Sequence, residues 1–420
     1  NGLHYFVQFD DSNTGNSEQT WNFGQKPFKF PPPAGFQPLN AANVRPDTVI
    51  ARSDQFVGAT LYTSNNSTLS VSDYQFQPDL LIFKNRDTAN HWGWFDSVRG
   101  ANKQLSSNRT NAESTTSGSG YGTGTMNSFD RNGFTLGNDV GSNVTNYPSG
   151  DGHVVYGFNA GGNKNTFNKD DVGYASAAAA GITEGTISLT GASIGTKQGF
   201  SIVSYSGSGS NGTFGHGLLE TPNLIIVKCR NVAQNWAVQH SAYGPTKYTY
   251  LNSTNEARTT GAAAFWNNTA PTNSTVSVGT DNDTNASGSG RIYIAYCWHN
   301  VPGLQKFGSY IGNGNNDGTF VETGFRPTLL WIKNTTTNGE LWCVHDSKRD
   351  PINPAKERLE LNGNGAEDAS QDARIKDFLS NGFKIRGQSG EQNTSGDVYI
   401  YCAWAEAPVS NLFGGQSNAR

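Results

Sequence analysis

One unit recurs three times along this chain, and that repetition constrains the fold more than any single motif. The unit opens as Phe76-Gln77-Pro78-Asp79-Leu80-Leu81-Ile82-Phe83-Lys84. It returns as Thr221-Pro222-Asn223-Leu224-Ile225-Ile226-Val227-Lys228, and again as Phe325-Arg326-Pro327-Thr328-Leu329-Leu330-Trp331-Ile332-Lys333. A Trp follows each Lys by eight or nine residues, at Trp92, Trp236 and Trp342. Each copy closes on an aromatic strand: Val154 to Phe158, Ile292 to Trp298 and Val398 to Trp404. From Lys84 to Phe158, Lys228 to Trp298 and Lys333 to Trp404 the separations are 74, 70 and 71 residues. Near-constant length marks one folding unit copied. Chains of copied β units serve more often as scaffolds or adhesins than as enzymes.

The Pro-x-Leu-Leu-Ile runs are apolar on both faces, which predicts a central strand. Pro78, Pro222 and Pro327 stand at its start, where a missing N–H does least harm. The closing strands alternate, Tyr399 and Tyr401 against Ile400 and Cys402. One face meets a core, and the other meets a neighbour or water. Packed antiparallel sheets satisfy both patterns. The expected fold is all-β: tandem antiparallel sandwiches, jelly-roll or lectin-like, in three related repeats after a partial N-terminal β segment. The expected bounds are 1–54 for that segment and its linker, 55–160, 186–301 and 304–408 for the repeats, a connector over 161–185 and a tail over 409–420. The clearest predicted helix is Asp372 to Ser380, with Ile375, Phe378 and Leu379 on one face. Asn381-Gly382 would end it in a left-handed turn, and Phe129-Asp130-Arg131-Asn132-Gly133-Phe134 matches that device in the first copy. The second copy lacks the device and carries Trp266 and a Pro-Thr-Asn turn instead.

At 420 residues the chain is too long for one core. It has 50 Gly, and only 15% of its residues are charged, as suits short strands joined by tight turns. A net charge of −4 with no basic run argues against a nucleic-acid partner. No apolar stretch reaches the roughly 20 residues that span a bilayer. Cys229, Cys297, Cys343 and Cys402 sit in apolar strands without C-x-x-C spacing, so buried free thiols are expected. That mildly favours assembly in a reducing cytoplasm. Asn-x-Ser/Thr triplets at Asn108, Asn252 and Asn334 follow from composition. The sequence starts mid-strand at Asn1, so something is expected to precede it.

Gly207-Ser208-Gly209-Ser210-Asn211-Gly212 matches G-x-G-x-x-G, but no helix-forming stretch follows, so a hairpin loop is expected. Asp96-Ser97-Val98-Arg99 and Asp346-Ser347-Lys348-Arg349 read as structural turns closed by an Arg. The second copy has His240-Ser241-Ala242-Tyr243 there. The repeat lysines are expected at strand ends, reaching solvent or an ion-pair partner. His91, His216, His240, His299 and His345 lack metal-ligand spacing. Asp281-Asn282-Asp283-Thr284-Asn285 alternates oxygen ligands as calcium loops do, without the later glutamate. Neither a metal nor a cofactor is expected. Glu357, Glu360, Glu367 and Asp368 are candidate carboxylates for glycoside cleavage. Tyr121, Tyr243 and Trp266, in turn-rich stretches, are candidate rings for stacking on sugars or a partner.

Long stretches of the second and third copies resemble a family of uncharacterised β domains in structural proteins of marine, cyanophage-like tailed phages. The resemblance rests on Gly199 to Tyr205, Gly212-Thr213-Phe214-Gly215-His216-Gly217-Leu218 and Lys306 to Gly314. It continues in Thr323-Gly324-Phe325-Arg326-Pro327 and Asp377 to Lys384. It covers 185–420 well and 55–160 more loosely. Asn22-Phe23-Gly24-Gln25-Lys26-Pro27-Phe28 resembles the end of a SPRY-like sandwich. The resemblance implies a virion protein without catalytic residues, assembled in the host cytoplasm with other virion proteins. The resemblance does not decide between tail and capsid. With the copied units, low charge and polar turn-rich loops, the leading expectation is a tail fibre or appendage that contacts the host surface, with a host-surface glycan as a partner and a homo-oligomer, a trimer as one form, as the assembly. The alternatives are a capsid decoration or capsid fibre protein, or a secreted polysaccharide-degrading enzyme with β-sandwich modules, which would be extracellular.

Overall fold

The computed structural model describes residues 50, 52–115, 126–138, 144–162, 165–370 and 372–405. Three times the chain lays down the same four antiparallel strands. The opening strands are Val57–Thr63, Phe200–Ser206 and Gln305–Ile311. The Lys strands are Leu80–Asn85, Leu224–Cys229 and Leu329–Asn334, and the Trp strands are Gly93–Asp96, Trp236–His240 and Trp342–Asp346. Gly152–Phe158, Ile292–Trp298 and Val398–Trp404 are the closing strands. The order in every copy is opening, closing, Lys, Trp. The register is also shared: Phe158, Trp298 and Trp404 lie opposite Leu80, Leu224 and Leu329. Each Lys strand is buried along its whole length, as its two apolar faces require. The prolines lie two residues ahead of it.

Alternation sends each strand's side chains to two different cores. The outer face meets a small second sheet within the same copy. In copy 1 that sheet is Leu69–Val71, Met126–Asp130 and Gly133–Leu136; in copy 3 it is Phe320–Glu322, Lys376–Leu379 and Gly382–Ile385. Copy 2 has only two such strands, Gly212–Gly215 and Thr275–Val278, with a short helix, Ala262–Trp266, beside them. The inner faces of all three copies share one core, which holds Trp94, Tyr156, Trp236, Trp298, Trp331 and Trp404 among others. Residues Thr48–Arg420 accordingly form one compact unit.

The shared core has near-threefold symmetry. Phe158, Trp298 and Trp404, the last aromatics of the three closing strands, form a ring. Their centroids lie 6.0, 6.1 and 5.5 Å apart, with interplanar angles of 70°, 70° and 69°. Burying one such side chain is worth about 1.5–3 kcal/mol. Deviations from symmetry are matched in volume. Copy 3 has Trp331 where copies 1 and 2 have Ile82 and Ile226, and across the strand it has Cys402 where they have Tyr156 and Tyr296.

Several local expectations are corrected. Residues within 161–185 do not form a bare connector: Phe167–Lys169 and Val172–Tyr174 extend the copy 2 sheet through Leu189–Gly195. Asp372 to Ser380 is not a helix but a single turn, Asp372–Arg374, followed by the strand Lys376–Leu379. The buried positions are Lys376 and Phe378, a period of two that a polar reading of Lys376 conceals. Phe-x-x-Asn-Gly-Phe is a hairpin in which Phe129 pairs with Phe134 and Phe378 with Phe383. Its glycine is needed for space rather than for a left-handed turn. A Cβ on Gly133 or Gly382 would run into the carbonyl oxygen of Val71 or Val321 on the adjoining strand. The Gly207–Gly212 loop joins two different sheets instead of closing a hairpin, and a strand, not a helix, follows it.

Candidate functional site

The residues that recur in sequence meet at the three seams between copies. Each signature Trp donates its indole N–H to a backbone carbonyl of the neighbouring copy. Trp92 reaches Glu360 at 2.7 Å, Trp236 reaches Ser106 at 2.9 Å and Trp342 reaches Tyr250 at 3.0 Å. Each repeat lysine crosses the same seam, Lys84 to the Asn364 carbonyl, Lys228 to Thr110 and Lys333 to Thr254. Between these two carbonyls sits an Asn whose side-chain oxygen accepts the backbone N–H of its own copy's Trp. These are Asn108 for Trp92, Asn252 for Trp236 and Asn362 for Trp342. A backbone bond completes each seam: Glu113 N to Arg230 O, Ala257 N to Thr335 O and Glu367 N to Arg86 O. The relation is cyclic, copy 1 onto copy 3, 3 onto 2 and 2 onto 1.

The lysines are fully buried, reaching neither solvent nor a carboxylate hydrogen bond. Carbonyl oxygens hold them instead. Burial pulls the Lys84 ammonium down to about 7, and Lys228 and Lys333 down to about 8.

Two seams also carry a chain of charges. Between copies 1 and 2, Arg230 pairs with Glu113 at 3.0 Å, and Glu113 with Arg99 at 3.4 Å. Arg99 then pairs with buried Asp96, which accepts the Tyr296 hydroxyl at 2.7 Å. Between copies 3 and 1, Arg86, Glu367, Arg349, Asp346 and Tyr156 repeat it. Burial opposes the charge on Arg99 and Arg349, but the adjoining Asp96 and Asp346 outweigh it and raise both. The seam between copies 2 and 3 has Thr335 and Ala257 in these places, then Tyr243, His240 and Cys402. Tyr243 takes over one hydrogen bond of the missing arginine. Its hydroxyl donates to the Val238 carbonyl at 2.9 Å, as Arg99 does to Trp94 and Arg349 to Val344.

Copy 3 departs from its siblings inside its own sandwich. It places Cys343, His345, Arg358, Lys376 and Glu391 where copy 1 has Gly93, Phe95, Gln104, Met126 and Val144. Glu391 accepts from Arg358 at 2.8 Å and pairs with Arg374 at 2.8 Å. Burial drives Lys376 down to about 7 and the Cys343 thiol up to about 12. The candidate carboxylates are tied into ion pairs: Glu360 and Asp368 to Arg358, Glu367 to Arg86 and Arg349. Burial and contact with Glu367 push Glu357 up to about 7.

Of the proposed stacking rings, Tyr121 lies outside the described residues. Trp266 is 0% exposed and belongs to the copy 2 core, so it is corrected to a packing residue. Tyr243 is corrected to a seam residue, half-buried against the shared core. Asp281 and Asp283 spend their oxygens on the Asp283 and Asn235 N–H groups, and Asn285 binds the Gly207–Gly212 loop. Among the described residues no three His, Cys, Asp or Glu side chains converge as a metal would need. The four cysteines are free and buried. Asn334 is also buried, and its amide donates to Asp397.

Sequence reasoning missed a further threefold set, Asn146, Asn285 and Asn393. Each is fully buried and ties the loop after its opening region to the Gly137, Gly279 or Gly387 carbonyl. Their spacing to the closing aromatics varies by one or two residues, so they stand out only after the strands are aligned. The chain matches the profile of a domain of unknown function, DUF7483, over residues 52–408, which takes in all three copies. No curated protein sequence matches it. The three-copy body closed around one aromatic core therefore belongs to the DUF7483 family.

Proposed function

We propose that this chain is a non-enzymatic structural protein of a phage virion, a tail-fibre or appendage module that meets the host surface. The observation that carries the reading is the ring of Phe158, Trp298 and Trp404. A single chain that closes three copies around an axis is suited to sit on the axis of a symmetric assembly. Its conserved effort, in the sense of what all three copies share, goes into seams rather than into a reactive centre. The low charge and polar loops favour protein and glycan partners over nucleic acid. Glu357 and Glu367 touch each other. Carboxyls that cleave glycosides stand about 5 Å or more apart, with the substrate between them.

Particles labelled with an antibody against residues 183–420 and imaged by electron microscopy test the proposal. Label at the tail is the expected result. Label over the head would make the chain a decoration protein, and no label on any particle would overturn the virion reading. Release of reducing ends from host polysaccharide by the purified chain would overturn the non-enzymatic part.

A further inference from the structure

Copy 2 lacks one strand of its small sheet, and the loss leaves an opening. In copy 1 the strand starting at Met126 helps cover Phe95 on the Trp strand, within one core. In copy 3 the strand starting at Lys376 lies near His345, the same position, and helps depress its basicity after burial itself. Copy 2 has the short helix Ala262–Trp266 instead, followed by Thr269-Ala270-Pro271-Thr272. This is the Pro-Thr-Asn region that sets the copy 2 sequence apart. A cleft of about 240 Å³ results, lined by Pro222, Ile225, Gln239, His240, Ala270 and Pro271.

Gln239 stands where Phe95 and His345 stand in the other copies. It is 3% exposed, and its Oε1 has no hydrogen-bond partner. A buried acceptor left unpaired is costly; Gln239 lines the cleft, and a turn of its amide toward it would let a ligand donor satisfy that oxygen. The same amide carries an NH₂ donor beside that acceptor. The wall around it is mostly proline and aliphatic. His240 is already engaged with the Tyr401 carbonyl and the Ala242 N–H. Asn223 and Ser241 also line the cleft and bond each other at 3.2 Å, Asn223 half-buried and Ser241 exposed.

We propose that this cleft binds an acetamido sugar, an N-acetylhexosamine unit of a surface glycan. An acetamido group presents N–H and C=O together, the complement of the Gln239 amide, and its methyl suits Ile225 and the prolines. The ring hydroxyls then face Asn223 and Ser241. The volume lies below the roughly 300 Å³ at which larger-ligand pockets begin, which suits one sugar ring. The inference deepens the host-contact reading, and its assay does not depend on where the chain sits on a particle.

Saturation-transfer NMR and calorimetry on the full chain provide the test, with N-acetylglucosamine, N-acetylgalactosamine, glucosamine, glucose and an N-acetyl dipeptide amide as probes. The acetamido sugars should bind, with strongest saturation at the acetyl methyl, and glucose and glucosamine should not. Gln239→Leu should weaken binding at least tenfold without lowering the thermal midpoint, since it removes an unpaired buried acceptor. Gln239→Phe, which borrows the copy 1 residue, should abolish it and serves as the second variant if the first misfolds. No binding, equal binding of glucose, or binding indifferent to both variants would overturn the proposal. Tighter binding of the dipeptide amide would overturn the sugar assignment. Particle label without sugar binding removes this inference alone; sugar binding without particle label removes the virion reading alone.

Discussion

The seam between copies 1 and 2 and the seam between copies 2 and 3 do the same job with different chemistry. Both use an indole N–H, a buried lysine and a backbone hydrogen bond in the same geometry. Only the first adds Arg230, Glu113, Arg99, Asp96 and Tyr296 in a line. The second closes with Ala257, Tyr243, His240 and Cys402 in a neutral arrangement. What both seams keep specifies the fold; what one seam omits is dispensable to closure. That agrees with the general finding that a buried ion pair is hard to break by halves yet often replaceable as a whole.

The largest effect should come from the element common to all seams. Trp404→Ala removes one side of the axial ring and should cost about 3–5 kcal/mol, read from guanidinium unfolding. A cost under about 1 kcal/mol would mean that the ring is not holding the copies together. Asp346→Ala comes next. It strands Arg349 in the interior and should cost about 3 kcal/mol or more, whereas His240→Ala at the matching place should cost less. Converting the charged seam to the neutral one, with Asp96→His, Arg99→Tyr and Tyr296→Cys together and Ile226→Trp to keep the core volume, should stay within about 2 kcal/mol of the parent. If the fourfold change is worse than Asp96→Ala alone, the two seam chemistries are not interchangeable.

The lysines sharpen the comparison by pH. Unfolded lysine titrates near about 10.4, whereas Lys84 is held down to about 7 and Lys228 and Lys333 to about 8. Between those values the unfolded chain holds protons that the folded chain has released. Stability should therefore rise with pH through about 7 to 9, and this contribution should flatten at lower pH, where both states are protonated. Replacing all three with Met should remove that part of the slope in unfolding free energies measured at several pH values. The smallest effect belongs to a glycine with open space, set against one without. Gly133→Ala forces a methyl against the Val71 carbonyl and should cost about 1–3 kcal/mol. Gly288→Ala meets nothing within 4 Å and should be close to neutral by thermal melting.

The three copies and the central place of the Lys strand were legible because both follow from local apolar pattern. The shared core was only half legible. Alternation of Ile400 and Cys402 with Tyr399 and Tyr401 says that two faces differ, not that the second face meets two other copies. The lysines defeated composition-based reasoning because a cation at a strand end normally finds water, and here neighbouring carbonyls substitute for it. Asn108 and Asn252 were visible only as glycosylation triplets; their role depends on a contact made 16 residues away in their own copy and on flanking carbonyls that meet another copy. Trp266 and Tyr243 were misplaced because turn-rich surroundings do not reveal which way a ring points. The copy 2 cleft left one legible trace, the missing Phe-x-x-Asn-Gly-Phe, whose consequence needs the sheet to be seen.

Hydrogen exchange of the full chain under increasing guanidinium tests the central claim, that three copies form one cooperative body. Peptides from Gly152–Phe158, Ile292–Trp298 and Val398–Trp404 should lose protection together, at one denaturant concentration that matches the loss of tryptophan fluorescence. Loss of protection in three separate steps, one per copy, would contradict the shared core and return the chain to three sandwiches on a string.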